Sequence, residues 1–383
     1  MRRVLCWLMV LALLGTPVIG VKAAPAEVAA KSAFLMDAAT GTVLYEQNAH
    51  EALAPASVTK VMTMLLIMEA IDSGKLRWED TVTASETAAA KGGSQVYLKV
   101  GETMTVSDMV KSIAVSSAND CACAMAEHLA GSEAAFVDLM NQKAKELGME
   151  DTHFVNCTGL DDEQSAAAHK TSAADIATMS RELLTKHPDI KNYTTIWMDT
   201  IRGGTFGLSN TNKLVRFYAG ATGLKTGFTS AAGYCLSASA CRDGMELIAV
   251  VMGSESSQAR FAACKSLLDY GFANYALVAP EVESGEVAVN LGTENSVRAV
   301  PAQSPRLLID KSQRDSVHTT LELKEQIDAP VSRGQRLGTL TVKAGEQVLQ
   351  QIPLVAETPV PKLRFSQLYL QLLKRLCMAA ERG

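Results

Sequence analysis

The sequence predicts a mixed α/β chain. One antiparallel sheet is flanked by helices and interrupted by a helical subdomain, and a small all-β domain and an amphipathic tail helix follow. Three observations carry this. Short strand patterns stand on both sides of a long helical block, at 32–47 and again at 224–252. Between them the apolar spacing is helical and broken by glycine stops. Beyond Pro280 the texture changes to short alternating runs between turn residues, as in a small β domain.

Taken in order, Ser32–Asp37 and 42–47 read as two strands joined by the turn Ala38-Ala39-Thr40-Gly41. After Pro55 the chain loses its turn residues and stays apolar on nearly every face until Ser73-Gly74, the pattern of a helix buried inside a domain. Lys75 to about Gly159 reads as mostly helical. Within it, a helix at Ser107–Ile113 runs into Ser116-Ser117-Ala118-Asn119, and further helices follow at 120–130 and 132–147. Thr171 or Ser172 caps another helix. Strands are expected at Leu224–Thr229, 234–240 and 245–252, then a covering helix at 260–275. The last strands are expected at 286–291, 297–301, 307–309, 316–323, 339–343 and 347–354.

The two ends carry address signals. Arg2 and Arg3 precede an apolar run from Val4 to Leu14, and Val21-Lys22-Ala23 offers small residues for cleavage. This is the pattern of a secretory signal peptide, and the run is short for a membrane span. Cleavage after Ala23 takes the net charge of the 383-residue chain from −5 to −8, with no basic footprint for nucleic acid. Eight cysteines fall to seven after cleavage, and none shows paired zinc spacing, so they read as small buried residues rather than a disulfide framework or a metal site. At the other end Pro359 and Pro361 precede Phe365, Leu368, Tyr369, Leu372, Leu373 and Leu376 on one helical face. Lys374 and Arg375 interrupt the apolar run, so the pattern favours a helix lying on a membrane surface; docking on the β domain is the alternative. The expected division is signal peptide 1–23, main domain 24–279, β domain 280–358 and tail 359–383.

Three strings carry candidate chemistry. Ser57 and Lys60 lie on one face at the start of the buried helix. A serine hydroxyl is a poor nucleophile until a base takes its proton, and an amine held in an apolar setting loses its proton readily enough to be that base. Roughly one or two SxxK strings are expected by chance in a chain of ordinary composition, but Ser57–Lys60 is the only one here. Ser117-Ala118-Asn119 offers a hydroxyl for proton relay and an amide to hold a substrate, although such triplets are usually caps. Lys225-Thr226-Gly227 lies on an expected strand. Its glycine would let a peptide backbone approach, and its lysine and threonine offer a charge and a hydroxyl to a carboxylate.

SxxK, SxN and KTG in this order are the motif set of penicillin-binding proteins and class A β-lactamases. From about Ser32 to Tyr275 the chain resembles the low-molecular-weight penicillin-binding proteins, the serine D-alanyl-D-alanine carboxypeptidases. The stretches Pro55–Lys60, Ser116–Asp120, Asn156–Leu160 and Gly223–Thr229 carry the resemblance. It implies that Ser57 attacks the carbonyl between two D-alanines of a peptidoglycan stem peptide and that Lys60 takes its proton. Ser117, helped by Lys225, would protonate the leaving D-alanine. Asn119 would hold the substrate amide, Thr226 the terminal carboxylate with support from Arg260, and the N–H groups of Ser57 and Phe228 the oxyanion. Phe228 stands where some members carry histidine, so only its backbone role transfers. β-Lactams are the implied inhibitors, and no metal or organic cofactor is implied. His153 and His169 read as structural. A β-lactamase is the nearest alternative, but the Glu-x-x-Leu-Asn string of the class A form is absent. A non-catalytic peptidoglycan-binding protein of the same fold is the other.

Overall fold

The computed structural model describes residues 25, 28–161, 167–367 and 369. The expected signal peptide and the apolar positions 368, 372, 373 and 376 of the tail lie outside the described residues. Five antiparallel strands form the central sheet in the order Val43–Gln47, Ser32–Asp37, Met245–Ser254, Gly233–Arg242, Ala221–Thr229. Both ends of the segment therefore build one sheet, as the strand patterns imply.

Of the three inner strands, Ser32–Asp37 and Met245–Ser254 are buried on both faces, which is why their middles read as continuous apolar runs. Successive side chains point to opposite faces. Phe34 and Met36, with Ile248, Val250 and Met252, join the core shared with the helical block. Leu35, with Leu247, Ala249 and Val251, faces Leu267 and Leu268 of the covering helix Ser257–Asn274. That helix is capped by Ser256, which accepts from the Ala259 N–H.

The buried helix runs from Lys60 to Asp72 and has six fully or nearly fully buried apolar side chains from Val61 to Met68. Ser57 precedes it in a 3-10 turn, Ala56–Thr59. Two further helices, Val106–Ser116 and Asn119–Ala130, meet at Ser117, whose φ of 64° breaks the run between them. The helix at Glu133–Glu146 is capped by Ser132, and that at Ala173–Lys186 by Ser172.

Four elements depart from the sequence expectation. The stretch 75–159 contains a strand pair, Thr81–Thr83 with Thr103–Thr105, too short to show period-two alternation. A hairpin, Met198–Ile201 with Phe206–Ser209, was not expected. The covering helix stops at Asn274, and Tyr275–Val278 leaves it as a strand. That strand pairs with Leu307–Asp310, so the latter is not part of the C-terminal sheet. The sheet has six strands, among them the parallel pair Gly285–Asn290 and Gln326–Asp328. Its core includes Val287, Leu337, Leu340 and Ile352. The tail begins as helix at 365, with Phe365 and Tyr369 exposed.

Candidate active site

The buried helix sets the chemistry. Lys60 is fully buried, and its Nζ lies 2.9 Å from the Ser57 Oγ and 2.7 Å from the Thr158 carbonyl oxygen, to which it donates. Burial is the main cause that pulls its pKa down from 10.5 to about 7, against smaller opposing effects of Cys157 and Asp120. Ser57 itself keeps partial exposure. A reachable hydroxyl thus faces an amine that is substantially neutral near pH 7.

The other two motifs close on this pair. Gly227 is pressed against the nucleophile turn: a Cβ there would stand 2.6 Å from the Pro55 oxygen and 3.1 Å from the Ser57 nitrogen. The backbone that the glycine admits is therefore the chain's own, rather than the docking peptide expected of it. Lys225 is fully buried, and its Nζ donates to the Thr226 carbonyl at 3.0 Å. Burial, then Lys60, then Arg260 hold its pKa well below the usual lysine value. It is no surface lysine carrying a fixed charge, but a second amine drawn toward neutrality.

Thr211 ties the strand to the junction that carries Ser117. Its Oγ1 accepts from Thr226 Oγ1 at 2.7 Å, and its N–H donates to the Val115 carbonyl. Ser117 is buried and left-handed, a costly backbone state for a non-glycine residue and one that collects at functional sites. The Asn119 Nδ2 donates to the Gly92 carbonyl at 2.7 Å, while its Oδ1 is buried without a hydrogen-bond partner. Asp120, one residue on, accepts from the N–H groups of Val96, Leu98 and Cys121 and so anchors the 92–98 loop.

Arg260 is buried beneath the strand, with Nη1 donating to the carbonyls of Gly227 and Cys235. It holds the strand that carries Thr226. Phe228 projects its half-exposed ring onto Tyr234, with centroids 4.3 Å apart. The 156–160 stretch is a turn built by Asn156, whose Oδ1 accepts from the N–H groups of Thr158 and Gly159. Thr158, Asp120 and Thr211 had no assigned role in the sequence, and only the turn-forming Asn156 left a local signal. Among the described residues no group of three or more His, Cys, Asp or Glu converges as metal ligands would. The six described cysteines are unpaired, and all but Cys241 are buried.

A family model described as D-alanyl-D-alanine carboxypeptidase matches residues 19–256. The chain belongs to that family. A second model, described as the C-terminal domain of penicillin-binding protein 5, matches residues 272–362 of this carboxypeptidase. Its sequence is 44% identical over 343 residues to the D-alanyl-D-alanine carboxypeptidase DacF of Bacillus subtilis, covering 88% of this chain and 87% of that protein. Penicillin-binding protein 5 from Haemophilus influenzae superposes with a TM-score of 0.75 at 29% identity, over 90% of this chain and all of that one. Penicillin-binding protein D2 from Listeria monocytogenes, solved in its ampicillin-bound form, matches 64% of this chain and 98% of its own, with a TM-score of 0.58 and 32% identity.

Proposed function

We propose that this carboxypeptidase removes the terminal D-alanine from peptidoglycan stem peptides through an acyl-enzyme on Ser57. The observation that carries the reading is the 2.9 Å approach of a fully buried Lys60 Nζ, with a pKa of about 7, to the Ser57 oxygen. Lys60 takes the hydroxyl proton as Ser57 attacks the carbonyl between the two D-alanines. Negative charge gathers on the carbonyl oxygen, where the N–H groups of Ser57 and Phe228 meet it. Losing one such donor typically costs about 2.7–4 kcal/mol. Ser117, with Lys225 beside the cleft, returns a proton to the leaving nitrogen, and water then hydrolyses the ester. Asn119 accepts from the substrate amide. Thr226 holds the terminal carboxylate on a strand that Arg260 keeps in place. β-Lactams, whose ring amide stands in for the scissile bond, acylate the same serine.

The leader pattern at 1–23 and the amphipathic pattern at 359–383 support export and a peripheral position on the outer face of the cytoplasmic membrane. No described helix is long and apolar enough to cross one. Phe365→Glu with Tyr369→Glu should abolish co-flotation of the full chain with anionic vesicles; undiminished flotation would remove the tail from the account.

Incubation with a fluorescent penicillin, followed by proteolysis and mass spectrometry, should find the adduct on the Ser57 peptide and show it hydrolysed slowly. Rapid penicillin turnover would favour a β-lactamase. Free D-alanine should be released from a pentapeptide ending in D-Ala-D-Ala and not by Ser57→Ala. Equal, negligible release by both would leave a binding protein.

A further inference from the structure

Ser57 follows Ala56, whose φ of +49° is left-handed. The Ala56–Ser57 peptide is a rigid plane, so the direction of its carbonyl fixes the direction of the Ser57 N–H. That N–H is an oxyanion donor in the mechanism above. What holds the plane comes from more than a hundred residues further along the chain.

Thr59 Oγ1 donates to the Ala56 carbonyl at 2.8 Å. The same oxygen lies 2.8 Å from His169 Nε2. His169 Nδ1 accepts from the Val155 N–H at 3.1 Å, which puts the proton of the neutral ring on Nε2 and makes Nε2 the donor to Thr59. The ring is buried and stands edge-on to Phe154, with centroids 5.7 Å apart. Burial, then His153, pull its pKa down to about 4, so it is neutral at neutral pH. On the other side of the Ala56 carbonyl lies Gly159, where a Cβ would fall 1.8 Å from the oxygen. The chain therefore closes over this one carbonyl and supplies it with a donor whose own hydroxyl is oriented by a histidine. Successive hydrogen bonds of this kind polarise and stiffen one another.

We infer that His169 is a positioning residue which, through Thr59, fixes the plane of the Ala56–Ser57 peptide and aims the Ser57 N–H at the developing oxyanion. It touches neither the substrate nor the reacting atoms. The inference rests on the acyl-enzyme reading and adds to it a residue outside the three motifs. Its loss should appear in the acylation step and leave the preceding encounter unaltered, because the aimed N–H matters most once charge has moved onto the oxygen.

The test is stopped-flow acylation of the full mature chain by fluorescent penicillin, which separates the limiting acylation rate from the concentration for half-saturation. His169→Ala and Thr59→Val should each lower the limiting rate at least tenfold with half-saturation unchanged. The double variant should be no slower than the slower single one, since both break the same chain. His169→Gln carries an N–H at the reach of Nε2 and should recover most of the rate, whereas His169→Asn should not. Losses that multiply in the double variant, or a loss confined to half-saturation, would overturn the inference. Should His169→Ala fail to fold, the Gln and Asn variants decide: equal rates refute it. If the wild-type chain is not acylated on Ser57 at all, the enzyme reading fails instead.

Discussion

The pH dependence of acylation tests the Ser57–Lys60 pair most directly. With a pKa of about 7, roughly a tenth of the Lys60 amines are neutral at pH 6 and roughly nine tenths at pH 8. If the neutral amine is the base, the acylation rate constant with a fluorescent penicillin should rise about tenfold between those values and level off above. Lys60→Arg keeps the charge at every working pH and removes the base, so acylation should fall by about 10²–10⁴. A stability signature accompanies this. The unfolded chain holds the Lys60 proton up to its ordinary pKa of 10.5, while the folded chain releases it near 7. Between those values the unfolded state binds more protons, so this group makes the fold more stable as pH rises. Across the whole window the gain is on the order of 5 kcal/mol. Urea midpoints from pH 7 to 10 should therefore carry an upward contribution that Lys60→Met lacks. A rate profile flat from pH 6 to 9, or one that falls, would refute the assignment of Lys60 as a neutral base.

Three further outcomes are expected. Gly227→Ala places a methyl 2.6 Å from the Pro55 oxygen; overpacking should cost about 1–3 kcal/mol in urea unfolding and depress Ser57 acylation much further. An active Gly227→Ala would show that the strand and the nucleophile turn are not in register for catalysis. Asp120→Asn leaves one carbonyl oxygen for the backbone donors of Val96, Leu98 and Cys121. It should lose about 1–3 kcal/mol and speed hydrogen exchange at those amides; unchanged exchange would sink the anchoring role. Arg260→Met removes the donors to the Gly227 and Cys235 carbonyls. D-alanine release should show a raised KM, since the strand bearing Thr226 loses its support, and a KM equal to wild type would count against that.

How legible the molecule is from sequence depends on how far each signal travels along the chain. The buried helix, the central strands and the three motifs are local patterns. Ser57 and Lys60 sit three apart, and residues 245–252 read as one apolar run. The short pair Thr81–Thr83 and Thr103–Thr105 lacks the length for a period to show. Leu307–Asp310 looks like any C-terminal strand until its partner, Tyr275–Val278, is found. In the site, Ser117, Asn119 and Lys225 announce themselves by type and order. Thr211 and His169 act through hydrogen bonds to residues distant in sequence, among them Thr226, 15 positions from Thr211, and Thr59, 110 positions from His169. Threonine and histidine in loops have no spacing rule that singles them out. The burial of Lys225 was likewise hidden, because a strand lysine is ordinarily solvated and only the tertiary fold covers this one.

The unpaired thiols have a practical use. Cys121, Cys123, Cys157, Cys235 and Cys264 are sealed in the interior, and Cys241 alone among the described cysteines is partly open. Glu133 accepts from the Cys157 thiol and backbone N–H, and the neighbouring Cys123 thiol, then burial, then this carboxylate hold Cys157 protonated and slow to react. Each interior sulfur is thus a silent clock for the region around it, started only when that region opens. Timed alkylation read by mass would report, without any label being engineered in, whether the sheet and the helical block come apart together or one after the other.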